Sequence, residues 1–293
     1  MKKLAYIIVI ALVVCNIISW SFLLLHKDNF FKVVFFDVGQ GDGIFIETPD
    51  KRQIVIDGGP DYNLMAEKIS QVIPFWDKEL DVVILTHSDS DHMNGLLGVL
   101  EKYKVKNVLW TGIEKEENGE KIASWKNILE REKAEGAEIF LVKDGDGLTG
   151  KDMKMDFIWP EKILEKVSKN DSNNNSLVSR LCYTESCFLF AGDISYSEEE
   201  KLLGKNIKTD VLKVSHHGSK YASSGQFLSL ASPKLAVIEV GKNSYGHPDS
   251  ETIKRIENSG AKVVRTDKKG DITVLSDGKD YKIIYQKSGE QGY

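Results

Sequence analysis

Residues 86–92 read THSDSDH and place His87, Asp89, Asp91 and His92 within six consecutive positions. The stretch follows an apolar run, LDVVILT (residues 80–86), which is typical of a buried β-strand. A helical pattern, NGLLGVLEKY (residues 94–103), comes directly after it. Imidazole and carboxylate groups are common ligands of zinc, manganese and iron. Because a solvated turn does not require four such residues, we interpret the stretch as part of a metal site at a strand end.

The histidines of the last third of the chain also follow predicted strands. His216 and His217 end the run DVLKVSHH, and His247 comes after KLAVIEVG. Asp193 ends a further apolar run, CFLFAGD. Each residue taken alone is typical of a polar rim or a turn. Since α/β proteins assemble their sites at one rim of a sheet, we expect the strand ends to converge on metal ions.

Short strand patterns alternate with helical patterns from residue 31 onward. About a dozen strands interleaved with helices favour stacked β-sheets with helices outside. We therefore predict one domain at residues 31–285 and a tail at residues 286–293.

The amino end carries an uncharged apolar run at residues 4–25, preceded by Lys2 and Lys3. As a helix this run is about 33 Å long, enough to cross a bilayer. We expect residues 1–30 to form an uncleaved signal anchor, a transmembrane helix with the lysines on the cytoplasmic side. Cleavage near residues 19–21 and lipidation of Cys15 are alternatives. All three export the rest of the chain, and with the anchor retained the domain lies at the outer face of the cytoplasmic membrane.

Two further cysteines, Cys182 and Cys187, flank the turn of a predicted hairpin. They could form a disulfide outside the cell. The strict geometry of a disulfide favours the alternative, two unpaired apolar strand residues.

The order of the motifs resembles a known family. HSDSDH is similar to the H-x-[HD]-x-D-H signature of the metallo-β-lactamase fold. FFDVGQGDGIFIE, IDGG, NNNSLVSRL, AGDIS, KVSHHGS and YGHP occur in the order seen in the C-terminal hydrolase domain of ComEC-type competence proteins. The resemblance covers nearly all of residues 31–285. It implies an αββα sandwich of two mixed sheets with two divalent metal ions on one rim, here in a stand-alone form without the multi-helix channel domain.

The resemblance also implies roles for individual residues. His87 and Asp89 would bind the first metal ion, Asp91 and His92 the second, and Asp193 would bridge the two ions.

One of His216 and His217 would complete the second metal site. Successive strand residues point to opposite faces, so a regular strand offers only one of them, and we favour His217. Asp91, His216 and His247 are the candidate catalytic residues, with His247 as a proton donor or phosphate ligand. The residues expected to orient ligands or to bind substrate are Asp37, Asp42, Asp57, Asn175, Ser176 and Ser219.

The chain departs from the family pattern at the first metal site. Asp89 stands where many members have histidine, and Asn173–Ser176 stand where a third histidine would fall. Oxygen donors, from Asp89 and from Asn175 or a water, favour a harder ion, so manganese competes with zinc as the expected metal.

We expect an exported phosphodiesterase or nuclease, with DNA as a candidate substrate. Alternatives are a hydrolase of a small phosphoester or other ester in the cell envelope and a metal-bearing binding module without turnover. The net charge of −5 gives no global basic footprint for nucleic acid. A local basic track could be formed by Lys213, Lys220, Lys254, Arg255, Arg265, Lys268 and Lys269. Expected partners are the membrane, nucleic acid or a small phosphoester, and envelope or DNA-uptake proteins.

Overall fold

The computed structural model describes residues 2–25, 30–115, 119–163, 166–167, 172–287 and 291–292. Its first sheet has nine strands in the order β18-β17-β16-β1-β2-β3-β4-β5-β7. These strands are β1 (Phe31–Phe35), β2 (Ile44–Glu47), β3 (Gln53–Ile56), β4 (Glu79–Leu85), β5 (Lys104–Trp110), β7 (Glu138–Leu141), β16 (Ile272–Ser276), β17 (Tyr281–Tyr285) and β18 (Gln291–Gly292). Strands β3, β4, β5 and β7 are parallel, whereas the other neighbours pair antiparallel.

The second sheet has seven strands in the order β15-β14-β13-β12-β11-β9-β8. They are β8 (Gly147–Gly150), β9 (Met153–Trp159), β11 (Val178–Tyr183), β12 (Ser186–Phe190), β13 (Val211–Lys213), β14 (Leu235–Ile238) and β15 (Lys262–Arg265). Strands β12 to β15 are parallel, and β8, β9 and β11 are antiparallel. Two short strands, β6 (Glu114–Lys115) and β10 (Lys166–Val167), pair separately.

Helices cover the outer faces of both sheets. Those on the first sheet are α2 (Leu64–Val72), α3 (Ser90–Lys102) and α4 (Gly119–Ala134), and those on the second are α5 (Tyr196–Leu202), α6 (Gly225–Ala231) and α7 (Ser250–Asn258), with the short α8 (Thr266–Lys269) after β15. Alternation along β1 shows the layering, because Phe35 packs between the sheets and Val34 packs beneath the helices. The predicted order of layers, αββα with two mixed sheets, is confirmed.

The amino-terminal helix α1 (Lys2–Leu25) carries exposed apolar side chains, from 46% exposed at Val14 to 70% at Tyr6. In the described part of the chain, no helix has both the length and the apolar character needed to cross a membrane. The predicted transmembrane helix is therefore not confirmed. Residues 1 and 26–29 of the predicted anchor lie outside the described ranges.

The two cysteines of the β11–β12 hairpin form a disulfide, so the preference for unpaired cysteines was wrong. The turn between the strands has only two residues, Thr184 and Glu185. Cys182 and Cys187 are therefore directly opposite each other, with their Cα atoms 4.1 Å apart. This Cα–Cα separation lies slightly below the usual range of disulfides. The sequence alone does not predict so short a separation.

Glycines allow the loop after β3 to contact helix α3 directly. The N–H of Gly58 donates to the carbonyl of His92 at 2.8 Å, and the N–H of Gly95 donates to the carbonyl of Gly59 at 3.0 Å. A Cβ atom on Gly95 would lie 1.8 Å from the carbonyl oxygen of Gly58, which no real contact allows. The contact holds the strand end that carries Asp57 against the helix that carries His92.

Replacing Gly95 by alanine should therefore destabilise the domain. We expect Gly95→Ala to lower the free energy of unfolding by about 1–3 kcal/mol, because backbone must move to admit the methyl group. Gly225→Ala is the matched control, since it also lies in a helix and its Cβ would meet no atom within 4 Å. Urea unfolding of both variants measures the difference, and equal midpoints would contradict the close contact.

Candidate metal centre

The carboxyl ends of parallel strands from both sheets meet at one rim. Asp57 follows β3 and His87 follows β4 in the first sheet, and Asp193 and His217 follow β12 and β13 in the second. His217 lies in a 3₁₀ turn, Ser215–Gly218, rather than in the strand. Both histidines of that turn have positive φ, 49° for His216 and 51° for His217. The predicted convergence of strand ends is therefore realised between the two sheets.

Asp193 lies at the centre of the cluster. Its Oδ2 atom is 3.4 Å from Nε2 of His92 and 3.3 Å from Nε2 of His217. Nε2 of His217 lies 3.5 Å from Oδ2 of Asp91, and the rings of His87 and His92 are 4.1 Å apart. The structure thus places one carboxylate oxygen between the histidines of the two sheets, as a bridging ligand requires.

Hydrogen bonds from outside the cluster fix the orientation of the imidazoles. Asp57 accepts hydrogen bonds from the backbone N–H of Thr86 at 2.8 Å and from its hydroxyl at 2.6 Å. The remaining contact of Asp57 is with Nδ1 of His92 at 2.8 Å. Nδ1 of His217 faces the carbonyl oxygen of Glu239 at 2.9 Å. Both rings therefore turn Nε2 towards the cluster, which is the role such partners have in metal sites.

The donor atoms fit divalent metal ions. Nε2 of His87, His92 and His217 are buried and have no hydrogen-bond partner. Leaving buried polar atoms unpaired is costly unless something else satisfies them. Asp91–His92–His217 and His87–His92–Asp193 form two neighbouring triads. In each triad every residue offers one ligand atom, and these atoms lie within 4.8 Å of one another. Imidazole and carboxylate donors in such groups are suited to zinc, manganese or iron.

Asp89 has a different environment from the other members of the THSDSDH stretch. One of its carboxylate oxygens accepts from the hydroxyl of Ser172 at 2.7 Å, and the other contacts Nζ of Lys115 at 2.6 Å. Both oxygens are therefore engaged by protein groups, and Asp89 is not part of either triad. The predicted role of Asp89 as a ligand of the first metal ion therefore stays a prediction.

The NNNS segment contributes Asn173 rather than Asn175 to the wall of the cavity. Nδ2 of Asn173 lies 3.3 Å from Nε2 of His216. The hydroxyl of Ser176 donates to the carbonyl of Asn173 at 2.7 Å and accepts from the backbone N–H of Asp193 at 3.2 Å. Ser176 thereby connects the Asn173 turn to the central carboxylate.

A polar cavity of about 180 Å³ opens beside the cluster. Its lining residues are Gln40, Asp89, Asp91, Asn173, Asp193, His216, His217, Tyr245 and His247. The rings of His216 and His247 are 5.3 Å apart. Burial, together with His216 and His217 nearby, lowers the pKa of His247 to about 4. In this arrangement His247 is uncharged at neutral pH, which favours a hydrogen-bonding role over donation from an imidazolium.

None of the six residues predicted to orient ligands or bind substrate lines this cavity, and two of them, Asp37 and Ser219, also lie away from the cluster. Asp37 forms an ion pair with Lys287 at 2.8 Å. Ser219 accepts a hydrogen bond from the N–H of Tyr221 at 3.4 Å and is buried in the turn. Asp42, by contrast, lies within the cluster, with Oδ1 at 3.4 Å from Nδ1 of His217.

Lys213 and Glu239 are parts of the site that sequence reasoning missed. Lys213 is 1% exposed, contacts Asp42 and lies 3.5 Å from Oδ1 of Asp193. Burial would lower the pKa of Lys213, but the carboxylates of Asp42, Asp193 and Glu239 raise it above its usual value. Burial and Asp42 raise the pKa of Glu239 well above its usual range. The signal was available, because each is a charged residue inside an apolar strand pattern.

The predicted local basic track is not continuous. Lys213 is buried in the site, and Arg255 donates hydrogen bonds to the carbonyls of Ala222 and Ser223. Arg265 is paired with Asp267 at 2.7 Å. These three cations are therefore engaged by groups of the protein itself.

Metal binding should release protons. Burial by itself would lower the pKa values of His92 and His217. The surrounding carboxylates, first among them Asp193, outweigh burial and raise both pKa values well above the usual value. The metal-free domain therefore carries imidazolium groups at neutral pH, and a metal ion must displace their protons. The apparent affinity for Mn²⁺ or Zn²⁺ should rise with pH until it passes these raised pKa values. Calorimetry in two buffers of different ionisation enthalpy measures the release, and identical heats would refute it.

Asp57→Asn should weaken metal binding without removing a ligand. The variant loses the charged acceptor that orients His92, and we expect a roughly 10–100-fold lower metal affinity. Asp37→Asn is the matched control, because Asp37 also follows a strand of the same sheet but lies outside the cluster. Equal affinities of the two variants in a metal-competition assay would show that Asp57 does not position the ligand.

Comparisons with known proteins agree with this architecture. The model of the metallo-beta-lactamase superfamily matches residues 36–241. The chain is 32% identical to ComE operon protein 3 of Bacillus subtilis (strain 168) over 92% of this chain and 36% of that protein. It is 30% identical to competence protein ComA of Neisseria gonorrhoeae over 83% of this chain and 32% of that protein. The chain thus spans about a third of the length of these relatives.

A solved structure shows the same fold. The metallo-beta-lactamase fold protein YhfI from Bacillus subtilis superposes with a TM-score of 0.58 at 12% identity, covering 84% of this chain and 100% of that chain. At this identity the likeness concerns the fold alone. The predicted resemblance to ComEC-type competence proteins is confirmed by the curated relatives. The chain belongs to the metallo-β-lactamase superfamily, whose members are usually metal-dependent hydrolases.

Proposed function

We propose that this protein is a dinuclear-metal phosphodiesterase that acts on nucleic acid outside the cytoplasm. The observation that carries the proposal is the set of buried, unpartnered histidine Nε2 atoms around Asp193, beside an open polar cavity. Bound divalent ions supply charge neutralisation for a phosphoryl group and a stronger nucleophile from water. The chain's own residues supply the rest of the chemistry.

The protein groups around the cluster have two roles, orienting the central carboxylate and binding the substrate. Lys213 lies beside Oδ1 of Asp193, which leaves Oδ2 to face the histidines. Asn173, His216 and His247 line the open side, where their polar atoms can hydrogen-bond phosphoryl oxygens. The polar wall and the charged floor thus suit a substrate that carries negative charge.

An exposed aromatic side chain at the mouth of the cavity supports a nucleotide substrate. Tyr245 is 75% exposed, lines the cavity and lies 5.9 Å from the ring of His247. Bases stack on such aromatic rings in proteins that bind single strands. The name of one curated relative, competence protein ComA, also favours DNA as the substrate.

A second candidate function is hydrolysis of a small phosphoester of the cell envelope. The cavity of about 180 Å³ and the dispersed cations favour it, because long nucleic acid needs a positive groove. A metal-bearing binding module remains the third candidate, and the activity measurement below separates all three.

Manganese is the metal that we propose for catalysis. The first site lacks a third histidine, and carboxylate and amide oxygens lie around it instead. Because oxygen donors prefer a harder ion, we expect higher activity with Mn²⁺. Zn²⁺ should still bind more tightly, as the Irving–Williams order requires.

We further propose that α1 attaches the domain to the outer face of the cytoplasmic membrane. The exposed apolar side chains of α1 and the Cys182–Cys187 disulfide support this placement, since disulfides persist in oxidising compartments. Envelope or DNA-uptake proteins are the partners expected there.

An activity panel with the full chain tests the function. The substrates are DNA, bis-p-nitrophenyl phosphate and a β-lactam, each with added Mn²⁺ or Zn²⁺. We expect both phosphodiesters to be hydrolysed, faster with Mn²⁺, and Asp193→Ala to lose at least about 100-fold, because the central carboxylate compensates both ions. Asp37→Ala serves as the control.

The outcomes separate the candidates. Hydrolysis of bis-p-nitrophenyl phosphate without DNA cleavage would favour the small phosphoester. Binding of metal without any hydrolysis would favour the binding module. Full turnover in Asp193→Ala would contradict the assigned centre.

A further inference from the structure

The loop between α2 and β4 exposes two adjacent aromatic side chains. Phe75 is 79% and Trp76 is 71% exposed, and their rings contact each other edge to face at 4.9 Å. Two large neighbouring rings in water are costly, and such patches mark interaction surfaces. We therefore expect Phe75 and Trp76 to contact a binding partner.

The aromatic pair lies at the end of the first sheet opposite the metal centre. Trp76 precedes β4, which begins at Glu79, whereas His87 follows the end of the same strand. Seven residues of strand span about 23 Å. The pair and the metal centre consequently face in opposite directions along β4.

The chain enters the domain at the same end as the aromatic pair. Phe30 and Pro74 line one surface cavity of about 580 Å³, next to Phe75. Five peptide units connect Leu25, the last residue of α1, to Phe30, and they reach at most about 18 Å. Covalent geometry alone therefore keeps the end of α1 close to the aromatic pair.

The surroundings of this end are basic. Lys32, Lys51 and Lys282 line the cavity, and Lys78 is exposed two residues after Trp76. Among the residues lining the cavity, Glu47 is the acidic one, and it pairs with Lys32 at 3.2 Å and with Lys51 at 2.9 Å. Asp77 accepts a hydrogen bond from Gln53 at 2.8 Å. Glu79, the first residue of β4, is a further acid and pairs with Lys106 at 2.6 Å. The lysines Lys32, Lys51, Lys78 and Lys282 outnumber the acids Glu47, Asp77 and Glu79, which suits the anionic head groups of phospholipids.

We infer that Phe75 and Trp76, flanked by these lysines, dock on an anionic phospholipid bilayer and turn the metal centre away from it. Aromatic rings beside basic side chains are typical of the membrane–water interface. The inference rests on the proposed attachment of α1 and goes beyond it, because it fixes which end of the domain faces the lipid. It does not depend on the reaction catalysed.

The test uses the full chain in vesicles of phosphatidylcholine and phosphatidylglycerol that carry bromine on the acyl chains. Bromine quenches tryptophan emission only at short range. Comparison with Trp76→Phe isolates the emission of Trp76, and comparison with Trp20→Phe isolates a residue of α1. The remaining tryptophans, Trp110, Trp125 and Trp159, are buried within the domain.

A matched control places the reporter at the opposite rim. Tyr221 is exposed and follows the 3₁₀ turn that carries His217. The double variant Trp76→Phe, Tyr221→Trp moves the exposed tryptophan there while keeping an aromatic ring at position 76.

We expect the Trp76 emission to fall by about half, since interfacial side chains enter roughly 5–10 Å into the lipid boundary. The emission of the tryptophan at position 221 should not be quenched. Quenching of Trp20 without quenching of Trp76 would overturn the docking and leave the attachment of α1 standing. Absence of quenching at both Trp20 and Trp76 would overturn both. Equal quenching of Trp76 without phosphatidylglycerol would overturn the role of the lysines.

Discussion

Neutralisation of buried charge at the meeting point of the two sheets is the constraint on which this structure depends. Asp42, Asp57 and Asp193 are all almost fully buried, and an isolated carboxylate in such a place is very costly. His92, His217 and Lys213 surround them and supply the compensating charge. The strand ends have to arrive together, because none of these groups is tolerated at this depth without its partners.

The same constraint makes the two metal positions unequal. In the triad Asp91–His92–His217, contacts to Nδ1 orient both imidazoles, and their Nε2 atoms have no hydrogen-bond partner. On the other side, Lys115 and Ser172 already satisfy Asp89. A cation of the protein thus stands beside the carboxylate that the family pattern assigns to a metal. The donor set beside His87 therefore lacks the Asp89 carboxylate in this arrangement.

Much of this architecture could be predicted from the sequence, because it follows from local patterns. Apolar runs such as the one before His87 predicted the longer strands, and the order of motifs predicted the paired sheets. Strands β6, β10 and β18 have two residues each and carry no such pattern. Lys213 was placed on the surface because sequence position does not report depth. Asn173 and Asn175 differ only in which way a 3₁₀ turn directs them, which tertiary contacts decide.

The division of the centre between two sheets has a consequence for how the chain folds. His87 and His217 are 130 positions apart in the sequence, and each of the triads Asp91–His92–His217 and His87–His92–Asp193 combines residues that follow strands of both sheets. Contacts of such long sequence separation form late and slowly, because loop closure must precede them. Metal ions should bind weakly to early, half-formed species and tightly only after the sheets have joined. The ions would then act as a latch on the last step of folding, and their dissociation would report separation of the sheets.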